Sequence, residues 1–342
     1  MDKRYIERKR VYSGHVSDVF RARDVSSGQL VCLKVVDGDI SIKPHSIKRE
    51  IAILKELKGG SNILQFLDWY ELFDDVVMVS RWYEYTLVSL LQNAKYSRKV
   101  TRFDFANPLD NKVNIVSKVD DLSAKGFLQA MASGLSYIHK HGIIHRDIKP
   151  SNILFADDDI TKPVIGDFGI SYNGPYSDES DDCKFLDVCT GIYKAPELCL
   201  GKCDYGNEID IWSLAVVLTI VYSSDFTSIL VKRKGNNEEE EEEEENVVSD
   251  LWLLSTIFNN FGTPFVNEGQ YEDESLYWPE LQSDKYHFVD FQFVHQNRKP
   301  DTELLPKCRD PVATSVFNEM TRYRQRITAQ EICDKLAIEE NR

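Results

Sequence analysis

The stretch His145-Arg146-Asp147-Ile148-Lys149-Pro150-Ser151-Asn152 sets a carboxylate and an amide five positions apart, and Asp167-Phe168-Gly169 follows fifteen residues after Asn152. The first group follows a long helical pattern and reads as a loop; the second is preceded by apolar Val164-Ile165 and so falls at a strand end. From such a loop one carboxylate can face a hydroxyl nucleophile while the amide holds a metal ion, and the carboxylate at the strand end supplies a second metal contact. Asp147, Asn152 and Asp167 therefore read as a magnesium and phosphate site. Any fold of this chain has to bring that loop and that strand end together.

The remaining bulk properties narrow the class. With 342 residues and 42% hydrophobic content the chain can fill a large core. Its net charge of -15 includes an unbroken run of eight glutamates, Glu238 to Glu245. Even without that run the balance is acidic, so no nucleic-acid partner is expected. Seven cysteines without paired spacing suit reduced thiols in a cytoplasmic or nuclear protein. Cys199 and Cys203 could suggest a metal pair, but no His or Cys partner set stands near them. The opening MDKRYIERKR has no apolar core of a secretory signal, and LAVVLTIVY at 214–222 is about half a membrane span, so no membrane association is expected.

Along the chain the character changes near residue 82. Tyr5 to Val11, Val16 to Asp24 and Leu30 to Val36 are rich in strand formers, and apolar segments at 63–72 and 76–80 follow. Between them Pro44 is expected to open a helix through Leu57, with Ile47, Ile51 and Leu54 on one face and Gly59-Gly60 stopping it. Beyond 82 the pattern is helical: Ser123 is the expected N-cap of a helix to about His141 that buries Phe127, Leu128, Met131, Leu135 and Ile138. Asp210 to Tyr222 is apolar nearly all round and reads as a helix in the middle of a core. Residues 93–121, polar and aperiodic, and 232–250, with the glutamate run, read as inserts; the second is expected to be a disordered loop.

With these pieces placed, the chain resembles a eukaryotic protein kinase over almost its whole length. The motifs occur in the family order: Lys34 in VCLK, Glu50 in KREIAIL, the loop at His145 to Asn152, Asp167-Phe168-Gly169, Ala195-Pro196-Glu197, Asp210 in DIW, and Arg326. The resemblance implies an α+β, bilobal fold, with a small five-stranded antiparallel lobe and one helix at 1–82 and a larger, mainly helical lobe at 83–342. It implies ATP and Mg2+ as cofactors. Lys34 would hold the α and β phosphates and pair with Glu50; Asp147 would accept the proton of the substrate hydroxyl; Lys149 would neutralise the γ phosphate and favours serine or threonine substrates; Asn152 and Asp167 would hold the metal. Gly14, Val19, Cys32, Ser80, Tyr83 and Leu154 would surround the nucleotide. Glu197 and Arg326 would form a buried ion pair, and Asp210 would hold the catalytic loop from below.

The glycine-rich loop of the family survives here only as Gly14, with Tyr12 and Ser17 at the other glycine positions and Val19 after them. A Cβ at the middle glycine would intrude on phosphate, so that one matters most. An inactive relative would more often lose Lys34, Asp147 or Asp167, and all three are present. Pro44 to Glu50, FGTPF and Tyr277 to Leu281 resemble the cyclin-dependent kinase branch. Twelve residues before Glu197, where such kinases carry an activating threonine, this chain has Phe185. Of three phosphate-binding arginines Arg49 and Arg146 remain and the third position is Tyr172; Asp181, Asp182 or Asp187 is expected to neutralise the pair, or else the loop is simply solvated.

Together with DFGISY, Thr190 to Glu197 and the insert before the catalytic loop, this pattern is similar to the monomeric fungal CDK-activating kinases of the Cak type. That resemblance implies a monomer that needs no cyclin and phosphorylates the activation-loop threonine of a cyclin-dependent kinase. Lys194, where proline-directed relatives keep an arginine, fits a target threonine not followed by proline. The competing readings are a cyclin-dependent kinase with a cyclin on the 41–57 helix, and a kinase-fold binding protein without activity.

Overall fold

Strand β3 (Leu30–Asp37) shows how the sequence builds the fold. Its side chains alternate, so Val31 and Leu33 enter one core with Tyr5, Ala22, Val77 and Val79, while Cys32 and Lys34 face the other side of the sheet. The computed structural model describes residues 3–38, 42–102, 112–231, 249–270, 272–283 and 293–340. In it β1 (Tyr5–Ser13), β2 (Asp18–Asp24), β3, β4 (Phe66–Leu72) and β5 (Asp75–Arg81) form one antiparallel sheet in the order β1-β2-β3-β5-β4. The strands match the expected small lobe.

Helix α1 (Ile47–Glu56) packs against β4 and β5. It starts later than Pro44: the Ser46 hydroxyl accepts from the Arg49 amide and caps the first turn. Ile51 and Leu54 are buried as their spacing requires, and Gly59, at φ +92°, lies in the left-handed region just past the helix end.

The larger core surrounds two helices. Asp121–Lys140 buries Phe127, Leu128, Met131, Leu135 and Ile138, the expected face. Its N-cap is Asp120 and not Ser123: the Asp120 carboxylate accepts from the Ser123 amide at 2.8 Å and from its hydroxyl at 3.0 Å, so the serine sits inside the first turn. Glu208–Val221 is buried along nearly its whole length. FGTPF and the Tyr277 region meet, with the Trp278 amide donating to the Phe265 carbonyl at 2.7 Å and the Phe265 amide to Leu276 at 3.0 Å.

Two stretches of one expected insert form paired strands. Ser97–Arg102 pairs antiparallel with Lys112–Ser117, in register from Ser97 opposite Ser117 to Arg102 opposite Lys112. The segment reads as polar because Arg98, Lys99 and Val100 are exposed on one strand and Val113 and Asn114 on the other. Residues 232–248, including the glutamate run, lie outside the described residues. Among the described residues no helix is long and apolar enough to cross a membrane.

Candidate active site

The cleft face of the sheet carries Lys34, and α1 carries Glu50 beneath it. Lys34 Nζ donates to Glu50 Oε2 at 2.7 Å and to Asp167 Oδ1 at 2.8 Å. Three residues far apart in sequence thus share one point. Burial alone would discharge the Lys34 ammonium, but Asp167 and Glu50 outweigh it and hold its pKa above the ordinary value. Burial likewise works against Asp167, yet the Lys34 charge and hydrogen bond keep that carboxyl well below its usual range. Glu50 is raised by burial, which Lys34 offsets only in part. Asp167 also holds a left-handed backbone, φ +60°, the kind of strained geometry that a functional loop retains.

The loop at His145 to Asn152 is fixed from below. Asp210, fully buried on the Glu208–Val221 helix, accepts from the His145 and Arg146 amides at 2.8 Å each and lies 3.0 Å from His139 Nε2. Within the loop Asn152 Nδ2 donates to the Asp147 carbonyl and to Asp147 Oδ2, both at 2.9 Å. Lys149 Nζ lies 2.9 Å from Asp147 Oδ2. Thr190 joins them: its hydroxyl donates to Asp147 Oδ1 at 2.7 Å and accepts from Lys149 Nζ at 2.7 Å. Reading the sequence assigned Thr190 no role, although its fixed distance before Ala195-Pro196-Glu197 was a usable signal.

The donor set fits a hard divalent cation. Asn152 commits its amide nitrogen to Asp147, and its Oδ1 makes no hydrogen bond among the described residues; Asp167 spends Oδ1 on Lys34 and on the Gly169 amide at 3.4 Å, and its Oδ2 makes none either. Oxygen donors of this kind suit magnesium.

The residues expected around a nucleotide fall on the two walls of the cleft. Val19 lies opposite Lys34, and Cys32 opposite both Arg21 and Ser80, so these side chains share the cleft face. Burial pushes the Cys32 thiol up to about 11. Ser80 is buried at the end of β5, and half-buried Tyr83 follows with the Arg81 guanidinium 5.7 Å over its ring. Leu154, paired with Thr86 and Val164, forms the opposite wall against Gly166, where an added Cβ would come within 2.9 Å of Leu154 Cδ1. At Gly14 an added Cβ would first meet the chain's own Tyr12, 2.6 Å from its hydroxyl. Tyr12 is exposed and its ring can swing aside, so that contact does not itself demand glycine.

The arginines find a carboxylate other than those expected. Arg146, with no exposed surface, makes a two-pronged ion pair with Glu179 at 2.9 and 2.8 Å. Glu179 also accepts from the Phe185 amide at 2.8 Å and from Ser177 at 3.2 Å. Burial would raise the Glu179 carboxyl, but Arg146 and the Phe185 amide outweigh it and hold it below the ordinary value. Asp178 lies 3.9 Å from Arg49 and pairs with Lys43. Asp181 instead accepts from the Tyr172 hydroxyl. Asp182 and Asp187 have no ion pair among the described residues. The acidic run offered several candidates, and only chain geometry selects Glu179.

The expected supports are in place. Glu197 pairs with Arg326 at 2.7 and 3.2 Å in a buried site, and Lys194 pairs with Asp250 at 2.9 Å.

The description "Protein kinase domain" matches residues 5–335. The chain is similar to the serine/threonine-protein kinase CAK1 of Saccharomyces cerevisiae, 30% identical over 69% of this chain and 69% of that protein. It is also similar to cyclin-dependent kinase D-1 of Oryza sativa subsp. indica, 28% identical over 96% of this chain and 65% of that one. A chain in the crystal structure of the yeast RNA Pol II CTD kinase CTDK-1 complex shares the fold, with a TM-score of 0.67 at 21% identity over 95% of this chain and 90% of its own.

Proposed function

Because the chain belongs to the protein kinase family, as a serine/threonine kinase of the cyclin-dependent-kinase-like type, we propose that it phosphorylates the activation-loop threonine of a cyclin-dependent kinase and does so without a cyclin. Kinases of this family use ATP and Mg2+. The metal, when bound, offsets phosphate charge during transfer.

The chain's own residues do the rest. Asp147, held by Asn152 and Thr190, orients the substrate hydroxyl and accepts its proton. Lys149, tied to the same threonine, places a positive charge beside that hydroxyl. Lys34 grips the nucleotide's inner phosphates, and Glu50 keeps its ammonium aimed into the cleft. Asn152 and Asp167 supply oxygen ligands to the metal.

The observation that carries cyclin independence is the way α1 is held. The Ser46 amide donates to the Gly169 carbonyl at 2.9 Å, the Phe168 amide to Glu50 at 3.3 Å, and Asn173 to Glu56 at 3.2 Å. These contacts, with Lys34 to Glu50, seat the helix from within the chain. Phe185 removes the activating phosphate site, and Glu179 puts a fixed negative charge on Arg146 in its stead. Lys194, engaged by Asp250, supports a target threonine that no proline follows. A purified chain given Mg-ATP and an unphosphorylated cyclin-dependent kinase should label one threonine in that kinase's activation loop; labelling elsewhere, with that threonine untouched, sinks the substrate assignment.

A second reading has one observation in its favour. The outer side of α1 forms a groove of about 620 Å³ with Lys48, Ile51, Lys55, Trp69 and Tyr176 on its walls, a surface a cyclin-like partner could cover. A large rate increase on adding a cyclin would favour it.

A further inference from the structure

None of the seven cysteines takes part in the chemistry above. Cys189 and Cys199 are withdrawn from reaction, since burial pushes both thiols far up. Cys183 and Cys203 differ. Cys183 is exposed in the activation segment, two residues before Phe185, and Cys203 is half-buried in the loop that follows the Pro196–Cys199 helix. The Lys184 amide donates to the Cys203 carbonyl at 2.9 Å, and Cys203 Sγ donates to the Asp182 carbonyl at 3.4 Å. These two bonds hold the stretches around Cys183 and Cys203 side by side. Cys203 thus contacts the residues on both sides of Cys183. The cysteine that these contacts set beside Cys203 is Cys183.

We propose that Cys183 and Cys203 form a reversible redox modification site, which a hydroperoxide oxidises to a disulfide tying the activation segment to the 200–206 loop. Cys183 sulfur attacks the peroxide oxygen, the O–O bond breaks, and a sulfenic acid and water (or an alcohol, from an organic hydroperoxide) form. Cys203 sulfur then attacks the Cys183 sulfur and expels the sulfenic oxygen as water. In sum two thiols lose two electrons and two protons, and the peroxide is reduced. Cys183 is the exposed thiol of the two and so meets the peroxide first.

The bond closes a loop that contains Thr190 and Lys194, and neither cysteine bonds to Asp147, Lys149 or Asp167 among the described residues. It fixes the neighbourhood in which the Phe185 amide reaches Glu179 and the Tyr205 hydroxyl donates to the Phe185 carbonyl at 2.6 Å. Oxidation thus stiffens the activation segment in its present position and leaves phosphate transfer intact.

The test uses the full chain, freed of reductant, treated with hydrogen peroxide, alkylated and digested without reduction. Mass spectrometry should find a Cys183 to Cys203 linked peptide that dithiothreitol removes and that is absent from Cys183→Ser and Cys203→Ser. The oxidised wild type should be cut at least several-fold more slowly between residues 172 and 205 than the reduced form or either variant, at unchanged kinase activity. A Cys183 that goes only to sulfinic acid, a Cys203 linked to a different cysteine, or an oxidised chain cut as fast as the reduced one would overturn the proposal.

Discussion

Replacing Glu179 by alanine leaves Arg146 charged, fully buried and without its two carboxylate bonds, and also orphans the Phe185 amide. Breaking a buried ion pair on one side costs about 3 to 5 kcal/mol. Arg146 cannot easily turn to water, because its guanidinium lies 4.9 Å over the Tyr172 ring and 5.4 Å over that of Tyr205. The equilibrium between seated and released activation segment should therefore shift by roughly a hundredfold to a few thousandfold. Two assays read this: the rate of phosphate transfer, expected to fall at least tenfold, and limited proteolysis between 172 and 190, expected to speed up. Because the Glu179 carboxyl is held below its ordinary 4.5, its contribution is complete above that pH and is lost only as pH falls further. Proteolytic protection of the wild type should thus persist at pH 5. Wild-type rates and wild-type cleavage in Glu179→Ala would refute the idea that this carboxylate stands in for a phosphate.

Thr190→Ala should lower kcat by about tenfold to a hundredfold through a looser Asp147 and Lys149, while Thr190→Ser, which keeps the hydroxyl, restores most of it in steady-state kinetics. Asp147→Asn should abolish transfer yet melt close to the wild type, checked by a kinase assay beside thermal denaturation. Glu197→Gln weakens a buried pair whose loss costs about 3 to 5 kcal/mol, so its melting temperature should drop by several degrees even with nucleotide present.

The residues of the candidate site were legible in the sequence because such chemistry fixes their spacing: Lys34 bonds Glu50 and Asp167, and Asn152 bonds Asp147. The five strands followed from strand-forming and apolar segments, and the two central helices from helical spacing and from a run apolar all round. What stayed hidden depends on three-dimensional choice. Any of several carboxylates could have reached Arg146, and loop geometry gave the place to Glu179. Ser123 and Asp120 are both good caps, and the chain direction entering the helix settled on the aspartate. The hairpin at 97–117 escaped notice because neither of its strands buries an alternating apolar face. Thr190 was in plain view but has no chemistry of its own until Asp147 and Lys149 close on it.

The central claim is that one chain, without phosphate on its activation segment and without a partner, already holds a complete transfer site. Its most direct test is the specific activity of the purified chain, shown by mass to be unphosphorylated, in Mg-ATP with a protein substrate. Full activity that neither phosphatase treatment nor an added cyclin changes is the predicted result; a chain that binds ATP but transfers nothing until it is phosphorylated or partnered would contradict it.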